Sequence, residues 1–429
     1  MASTQPRVLL SAYQCGPGMG SVSQIGWHWY KRMATRTPTT LVTHVRNREA
    51  LERAGAPIAD SEIIYIDTEW FAGPLYRFAS CIFPKSQHAV FLVSSLDFYM
   101  YDRDMVKALH TRRHEWDVVH AVTPVSPLAA TRLHKLGLPL VLGPWNGGLA
   151  SPKTFQRIMS DDSGWLYPVR NLGKLFDGVI GSTRNASILL SATKATTDSI
   201  VERYRDRCVA MLENAVDLNT FVPQAWPEPP SSERPLRICC VGRLVPFKGI
   251  TMLLQAVARL QMDLALDVHI VGDGPLKAEL VSEARERGIA DIVTFHGNLP
   301  PDQVAAEVRA AHVFCLPSVR ESGGAVVLEA MASARPVVVV NYGGPAEIVD
   351  DEVGVALPPD GEEQVVEGLS NTFRDVFARP EHWRALGAAG RARAEQKYSW
   401  DAKVREVISM YDELLSHGGQ LHGDISSAC

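Results

Sequence analysis

The chain has 429 residues, more than one hydrophobic core usually supports, so its length predicts two or three domains. Hydrophobic residues make up 46% and charged residues 21%, which is typical of a globular protein, and the net charge of −5 excludes the basic footprint of a nucleic-acid partner. Seven cysteines without a C-x-x-C pair fit a reducing compartment better than a disulfide framework or a zinc site.

The chain begins with a predicted strand and a glycine-rich loop. Residues 1–13 contain only a short apolar run, which predicts a β-strand and is too short for a signal sequence. The loop at 16–20 leads into a helix but lacks the G-x-G-x-x-G spacing of a dinucleotide-binding motif. No stretch approaches the roughly 18 apolar residues of a membrane helix, and we expect a soluble, cytoplasmic protein.

An aromatic and basic stretch farther along is a candidate for peripheral contact with the inner face of a membrane. It combines the aromatic-rich residues 98–101 with Arg103, Lys107, Arg112 and Arg113. An ordinary solvated helix is the alternative interpretation.

Strand-like runs alternate with longer helix-like runs, which predicts α/β architecture with parallel sheets. The predicted strands of the first half are residues 7–13, 39–45, 62–66, 117–121, 139–143 and 177–181. Those of the second half are residues 236–241, 267–271, 292–296, 312–316 and 336–341. A segment between the halves is dense in proline and serine, which predicts a hinge linker.

The predicted organisation is two domains that face each other across a cleft, with ligands outside the carboxyl ends of the strands. The domains cover residues 1–224 and 236–398, joined by the linker 225–235. Apolar residues at helical spacing predict a last helix over 399–416, which packs back on one of the two domains, and a loose tail over 417–429.

The segment 317–347 carries the strongest functional signal. An apolar strand runs into Ser-Val-Arg-Glu-Ser-Gly-Gly, and a helix is predicted from Ala325. Glycines let a ligand approach the backbone, and the first turn of a helix offers N–H groups to an anion. Glu321 and Glu329 would oppose an anion, so we expect them to bind neutral hydroxyls beside a phosphate. The alternative for each glutamate is a solvated carboxylate at a helix start.

A second turn, in LRICCVGRLVPFKG, follows the first strand of the second half. Gly242 ends the strand, and Arg243 and Lys248 lie in the turn before Gly249. Two cations on a glycine-flanked turn suit a diphosphate, since arginine forks onto two oxygens and lysine acts as a point charge. Two surface salt-bridge partners are the alternative.

These motifs resemble those of the family-four retaining glycosyltransferases of the two-domain GT-B fold. The resemblance rests on VGRLVPFKG from Val241, HIVGDGPLKAEL from His269, TFHGNLPPDQV from Thr294, PSVRESGGAVVLEAMASARPVVVV from Pro317 and, more loosely, ENAVDLNTF from Glu213. It implies two Rossmann-like parallel-sheet domains, a nucleotide-sugar donor substrate, and neither a metal nor another cofactor. It covers most of the second domain and the first more diffusely.

The resemblance implies a role for each residue on the donor side. Arg243 and Lys248 would bind the diphosphate, Glu321 the hydroxyls of the transferred sugar, and Glu329 the ribose. The other donor-side residues would be Gly242, Ser322, Gly323, Gly324 and Ala325, with Gly297 and Asn298 beside the nucleobase. The chain departs from the commoner family pattern at Gly323, where phenylalanine is frequent, and at Ala334, where glycine is frequent.

The resemblance also implies acceptor-side candidates in the first domain. Gly18, Met19 and Gly20 would face the acceptor from the glycine-rich loop, with a purely structural turn as the alternative. Trp145, in GPWNGG, either stacks on a sugar ring or packs in the core.

His120 is the candidate catalytic histidine. Family members often carry H-x-H after this strand, but Val122 stands at the second position here. The alternative is a buried strand histidine that is hydrogen-bonded to the backbone. The D-x-D at 102–104 is rejected as a metal-diphosphate motif, because it lies in a helix-like run.

We therefore expect a metal-independent hexosyltransferase that moves a sugar from a UDP- or GDP-sugar to a hydroxyl of a lipid-linked, polysaccharide or small-molecule acceptor. With no candidate nucleophile in the first domain, attack from the same face as the leaving phosphate is expected. A GT-B epimerase, a sugar phosphorylase and an inactive nucleotide-sugar binding protein are the alternatives. Acceptor, donor and oligomeric state stay open.

Overall fold

A computed structural model describes residues 5–83, 93–150, 152–155 and 175–418 of the chain. The chain divides into two compact units. The first unit comprises Met1–Gly148, Gly164–Glu213 and Val404–Cys429, and the second comprises Leu149–Ser163 and Asn214–Lys403. The chain thus returns from the second unit to the first near its end.

The first unit is built on a parallel sheet whose strand order is β3-β2-β1-β4-β5-β6-β7. Its strands are β1 (Val8–Ala12), β2 (Thr39–His44), β3 (Glu62–Ile66), β4 (Val118–Thr123), β5 (Leu140–Trp145), β6 (Ile188–Ser191) and β7 (Cys208–Ala210). Its described helices are α1 (Ser21–Met33), α2 (Arg48–Arg53), α3 (Glu69–Ile82), α4 (Asp97–Leu109), α5 (Ser182–Asn185) and α6 (Lys194–Ser199). Helices on both faces of the sheet explain why β1 is buried along its whole length.

The second unit contains a parallel sheet of order β10-β9-β8-β11-β12-β13. Its strands are β8 (Leu236–Val241), β9 (Leu266–Val271), β10 (Val293–Gly297), β11 (Val313–Leu316), β12 (Val337–Val340) and β13 (Gly354–Leu357). Its helices are α7 (Ile250–Leu260), α8 (Lys277–Glu286), α9 (Pro301–Ala310), α10 (Ala325–Ala332), α11 (Gly344–Ile348), α12 (Glu362–Ala378) and α13 (Pro380–Arg393), and α14 (Trp400–Ser416) follows. The expectation of two Rossmann-like, parallel-sheet domains is confirmed.

One predicted strand is wrong, and three strands, β6, β7 and β13, were missed. Residues 175–180 are helical, and the sixth strand is β6, some residues later. The apolar run that suggested a strand includes Val179, which is 78% exposed, so its pattern did not report burial. The edge strands β7 and β13 were missed because they are short and carry few buried side chains.

Several residues of the aromatic and basic stretch in the first unit are buried or form ion pairs within the protein. Phe98 and Tyr101 are buried in the core of this unit. Arg112 pairs with Glu62 and Glu115 at 2.6 Å each. A free surface for lipid headgroups would need these groups exposed, so the predicted membrane contact gains no support here. None of the described helices has the length and apolarity to cross a membrane.

The proline-rich segment between the predicted domains is hydrogen-bonded to the second unit. The Nε1–H of Trp226 donates to the carbonyl of His312 at 2.9 Å, and the His312 Nε2 lies 2.9 Å from the carbonyl of Glu228. The buried Arg335 donates to the carbonyl of Gln224 at 3.1 Å. The first part of the segment is therefore anchored, and a hinge over 225–235 stays a prediction.

Candidate functional site

Lys248 and Glu321, two of the predicted donor-side residues, lie where the strand order of the second unit reverses. Strands β8 and β11 are neighbours in the sheet, and the chain leaves them towards opposite faces. In an open parallel sheet this reversal creates a crevice at the carboxyl ends of the strands, where ligands bind. Lys248 follows β8, and Glu321 follows β11.

The turn after β8 is built so that only glycine fits at its end. Residues Pro246–Lys248 form a short 3-10 turn, and Gly249 begins α7 with a φ of 67°. A Cβ at Gly249 would also collide with the carbonyl oxygen of Pro317. The backbone N–H of Val319 donates to the Phe247 carbonyl at 2.9 Å, which ties the turns after β8 and β11 together.

Lys248 and Glu321 form an ion pair in the centre of the site, with side chains only 14% and 18% exposed. The aliphatic part of Lys248 passes over Gly242, 3.6 Å from the position that a Cβ there would take. The ammonium predicted for the diphosphate and the carboxylate predicted for the sugar are therefore in direct contact.

Arg243 extends from the same turn into solvent. It is exposed, and its guanidinium has no hydrogen bond or ion pair with the rest of the described chain. Arg320, which the sequence analysis overlooked, adds a second arginine, with its guanidinium carbon 6.0 Å from the centre of the Phe247 ring. The turns after β8 and β11 thus carry three cations, one of which pairs with Glu321, and this positive charge suits a diphosphate.

The N-terminus of α10 lies in the same crevice. Gly324 precedes the helix with a φ of 57°, and among the described residues no side chain caps it. The backbone N–H of Gly344 donates to the Glu321 carbonyl at 2.8 Å, which holds the glycine turn against the loop after β12. Because the first N–H groups of a helix point along its axis, this end of α10 can receive an anion. Ser322, Gly323 and Ala325 belong to the same turn.

Glu329 lies in the second turn of α10. Its carboxyl group forms no hydrogen bond or ion pair with the described residues, although the residue is partly exposed. Burial of that group raises the pKa of Glu329 to about 7. A desolvated carboxylate without a partner gains strongly from hydroxyl donors that reach it.

Gly297 ends β10, and Asn298 follows it at the same edge of the sheet. The Gly297 carbonyl accepts from the N–H of Gly272 at 2.8 Å, so this turn is joined to the end of β9. Asn298 is exposed. Beside Gly297, the Nζ of Lys277 donates to Asp273 at 3.0 Å.

In the first unit, the predicted acceptor-side residues differ in exposure. Gly18, Met19 and Gly20 form an exposed loop between β1 and α1, and Met19 is 43% exposed. Trp145 is only 4% exposed and belongs to the core. The loop is accessible to a ligand, whereas the geometry of Trp145 agrees with the packing alternative.

His120 is fully buried on β4, and both of its ring nitrogens have partners. Nε2 lies 2.8 Å from the carbonyl of Gly143, and Nδ1 lies 2.6 Å from the hydroxyl of Tyr411. Nε2 must therefore carry the proton, and Nδ1 accepts from the tyrosine. Burial lowers the pKa of His120 to about 4, so the ring is neutral near pH 7. This geometry agrees with the alternative of a structural histidine.

The D-x-D at 102–104 is also structural. Asp102 is fully buried in α4 and accepts hydrogen bonds from Thr131 and from the backbone N–H of Arg132 at 3.0 Å. Its carboxylate is thus used to hold the chain after β4.

Comparisons with known proteins agree with the donor-side motifs. Residues 224–393 match the model of the family described as glycosyl transferases group 1. The chain is similar to a D-inositol 3-phosphate glycosyltransferase from Corynebacterium diphtheriae, with 32% identity over 53% of this chain and 56% of the relative. It is also similar to a GDP-mannose-dependent alpha-(1-6)-phosphatidylinositol monomannoside mannosyltransferase from Mycolicibacterium smegmatis, with 34% identity over 41% of this chain and 48% of the relative. The chain spans about half the length of the curated relatives it matches.

The fold has counterparts among solved structures. Anabaena Alr3699/HepE in complex with UDP is similar, with a TM-score of 0.61 and 17% identity over 94% of this chain and all of that one. At this identity the likeness concerns the fold alone. The chain therefore has a GT-B fold, and residues 224–393 of its second unit are similar to the glycosyl transferases group 1 family.

Proposed function

We propose that this protein is a retaining glycosyltransferase that moves a sugar from a nucleotide-diphosphate donor to a hydroxyl acceptor. One observation carries the proposal: the Lys248–Glu321 pair, the uncapped start of α10 and the unpartnered carboxylate of Glu329 share one crevice. Their chemistry fits a diphosphate between two sets of sugar hydroxyls.

The cations and the helix start would stabilise the leaving group. Cleavage of the bond between the anomeric carbon and phosphate places negative charge on the leaving diphosphate. Lys248 and the N–H groups at the start of α10 are held in place before that charge appears, and such pre-organised stabilisation is often the largest catalytic contribution. The exposed Arg243 would add a second cation. No metal ion is needed for this role.

Donor binding would separate the ion pair at the centre of the site. When the diphosphate arrives, the ammonium of Lys248 transfers from Glu321 to phosphate oxygens. The freed Glu321 carboxylate then accepts hydrogen bonds from hydroxyls of the sugar. Ribose hydroxyls satisfy Glu329 and favour its ionised form. Lys248 and Glu321 each keep a partner when the ion pair is exchanged for contacts with the donor. The desolvation free energy of this exchange is therefore small.

Attack of the acceptor from the same face as the leaving group accounts for retention without a protein nucleophile. His120 is neutral and bonded at both nitrogens, so it is poorly placed to act as a base. The leaving phosphate itself takes the proton of the acceptor hydroxyl in this scheme. The acceptor oxygen forms its bond to the anomeric carbon as the carbon–phosphate bond breaks.

Names of similar proteins support a nucleotide sugar and a glycan, lipid or polyol acceptor. One relative is described as GDP-mannose-dependent, and one solved structure contains UDP. Two relatives are named for inositol-containing acceptors. We therefore place this chain in glycan or glycolipid synthesis, with the hexose and the base of the donor to be determined.

The test is a panel of UDP- and GDP-sugars, with release of nucleotide and formation of a new glycoside both measured. We expect Lys248→Ala to lower transfer on the order of 100- to 1000-fold while the protein still folds. Lys397→Ala, at an exposed lysine of the same unit, is the matched control and should behave as wild type. Near-normal transfer by Lys248→Ala would overturn the assignment of this turn. An epimer, a sugar phosphate, or donor binding without turnover would indicate the alternative functions.

A further inference from the structure

Two histidines and a glutamate converge on one face of the sheet of the second unit. His269 lies on β9, His296 on β10, and Glu307 on α9. Strands β9 and β10 are parallel, with Thr294 opposite His269. Because side chains alternate along a strand, His296 shares the face of Thr294 and His269, the face on which Glu307 lies.

The three donor atoms are spaced like the ligands of a tetrahedral metal ion. His269 Nδ1 lies 2.8 Å from His296 Nε2 and 3.1 Å from Glu307 Oε2, and His296 Nε2 lies 3.8 Å from Glu307 Oε2. Ligands about 2.0–2.1 Å from a tetrahedral Zn²⁺ stand about 3.3 Å apart, which falls within this range. Two imidazoles and one carboxylate are a set that zinc accepts, with a fourth position left for water.

A carboxylate behind His269 orients its ring for this role. His269 Nε2 lies 2.9 Å from Asp267 Oδ1, so Nε2 carries the proton and the lone pair of Nδ1 faces the other two ligands. Metal-binding histidines commonly donate their second ring N–H to a carboxylate in this way. With Nδ1 unprotonated, its lone pair faces a carboxylate oxygen at 3.1 Å, an arrangement that favours a cation bound to both atoms.

The guanidinium of Arg237 would compete with a metal ion for two of these ligands. Its Nη2 lies 2.8 Å from Glu307 Oε2 and 3.1 Å from His269 Nδ1. Its Nε is buried without a hydrogen bond in the described structure and lies 3.9 Å from Asp267. With neutral imidazoles, Asp267, Glu307 and Arg237 together carry a charge of −1. A divalent ion is therefore compatible with the cluster, and a turn of Arg237 towards Asp267 would make room for it.

We propose that His269, His296 and Glu307 form a binding site for a divalent transition-metal ion, with Zn²⁺ as the probe. The side chains are 12%, 21% and 22% exposed, so an ion can enter from solvent. The ion would join α9 to strands β9 and β10. This site uses none of the donor-side residues, although His296 directly precedes Gly297, and its role is separate from the metal-independent chemistry proposed above.

The experiment is calorimetric titration of the EDTA-stripped full-length chain with zinc chloride. We expect one saturable site in the wild type. His296→Gln or Glu307→Gln should weaken it more than about 100-fold, and Asp267→Asn about 10- to 100-fold. Arg237→Gln should bind more tightly, because the competing cation is gone. At a Zn²⁺ concentration about 100 times the Kd, the unfolding temperature should rise by roughly 5–10 °C.

His382→Gln, which removes an exposed histidine outside the cluster, is the control and should bind as wild type does. Absence of saturable binding by the wild type would overturn the proposal. So would an affinity that Glu307→Gln and His296→Gln leave unchanged. If those variants do not fold, Co²⁺ bound to the wild type decides: intense visible absorption of a tetrahedral ion supports the site, and weak octahedral absorption overturns it.

Discussion

Replacing Glu329 with glutamine should separate stability from function. Burial raises the pKa of Glu329 from 4.5 to about 7, and one pKa unit corresponds to about 1.4 kcal/mol, so ionisation costs the folded state about 3 kcal/mol above pH 7. Below pH 4.5 the carboxyl is protonated in folded and unfolded chains alike, and the cost vanishes. Stability is thus lost as pH rises from 4.5 to 7. Glutamine has nearly the same shape and no charge at any pH.

We therefore expect Glu329→Gln to match the wild type near pH 4.5 and to gain about 3 kcal/mol in the free energy of unfolding at pH 8. Urea unfolding followed by circular dichroism at several pH values measures this difference. The variant should also bind the nucleotide-sugar donor about 10- to 150-fold more weakly at pH 8, because charged hydrogen bonds to the ribose are lost. Calorimetric titration measures that affinity.

Glu367→Gln, at an exposed position of α12, is the matched control and should change stability by less than about 0.5 kcal/mol at every pH. A gain for Glu329→Gln that is equal at pH 5 and pH 8 would refute burial of the carboxylate as its cause. Unchanged donor affinity would refute the assignment of this residue to the ribose.

Three further variants test the backbone and core around the two units. Gly249→Ala should cost about 2–5 kcal/mol in the free energy of unfolding and abolish transfer, because a Cβ there strains the backbone and strikes the Pro317 carbonyl. Ala334→Gly should gain about 0.5–1 kcal/mol, because Ala334 has a φ of 57°. Tyr411→Phe should cost about 1–3 kcal/mol, because the buried Nδ1 of His120 loses its donor. Urea unfolding measures all three.

Two control variants reverse the first two effects. Gly178→Ala, in the helical residues 175–180 where a Cβ meets nothing within 4 Å, should stabilise by up to about 1 kcal/mol. Ala332→Gly, inside α10, should destabilise by about 1 kcal/mol or more. If Gly249→Ala behaves like Gly178→Ala, the close approach to Pro317 does not constrain this position. A loss for Ala334→Gly, or no change for Tyr411→Phe, would contradict the corresponding argument.

Local patterns in the sequence were sufficient for most of the secondary structure. The bounds of β3, β8, α10 and α14 agree with the predicted ones. A buried parallel strand is an unbroken apolar run between glycine turns, and a helix has apolar residues that recur every three or four positions. Both patterns are visible within a short stretch of sequence. Short edge strands such as β7 lack that signal, because they pair with only one neighbour and bury little.

The sequence also indicated which residues belong to the donor side, because glycine turns, cations and carboxylates follow the strands in a recognisable order. It did not reveal that Lys248 and Glu321 touch, since they are far apart in the chain and meet only where β8 and β11 pair. The same holds for His269, His296 and Glu307, which no local motif connects. Burial likewise decided that His120 and Trp145 face the core. Composition and local spacing determine the helices, the strands and the residue types of the turns. Which side chains meet, and which are buried away from water, depends on strand order and packing, and only the folded chain defines these.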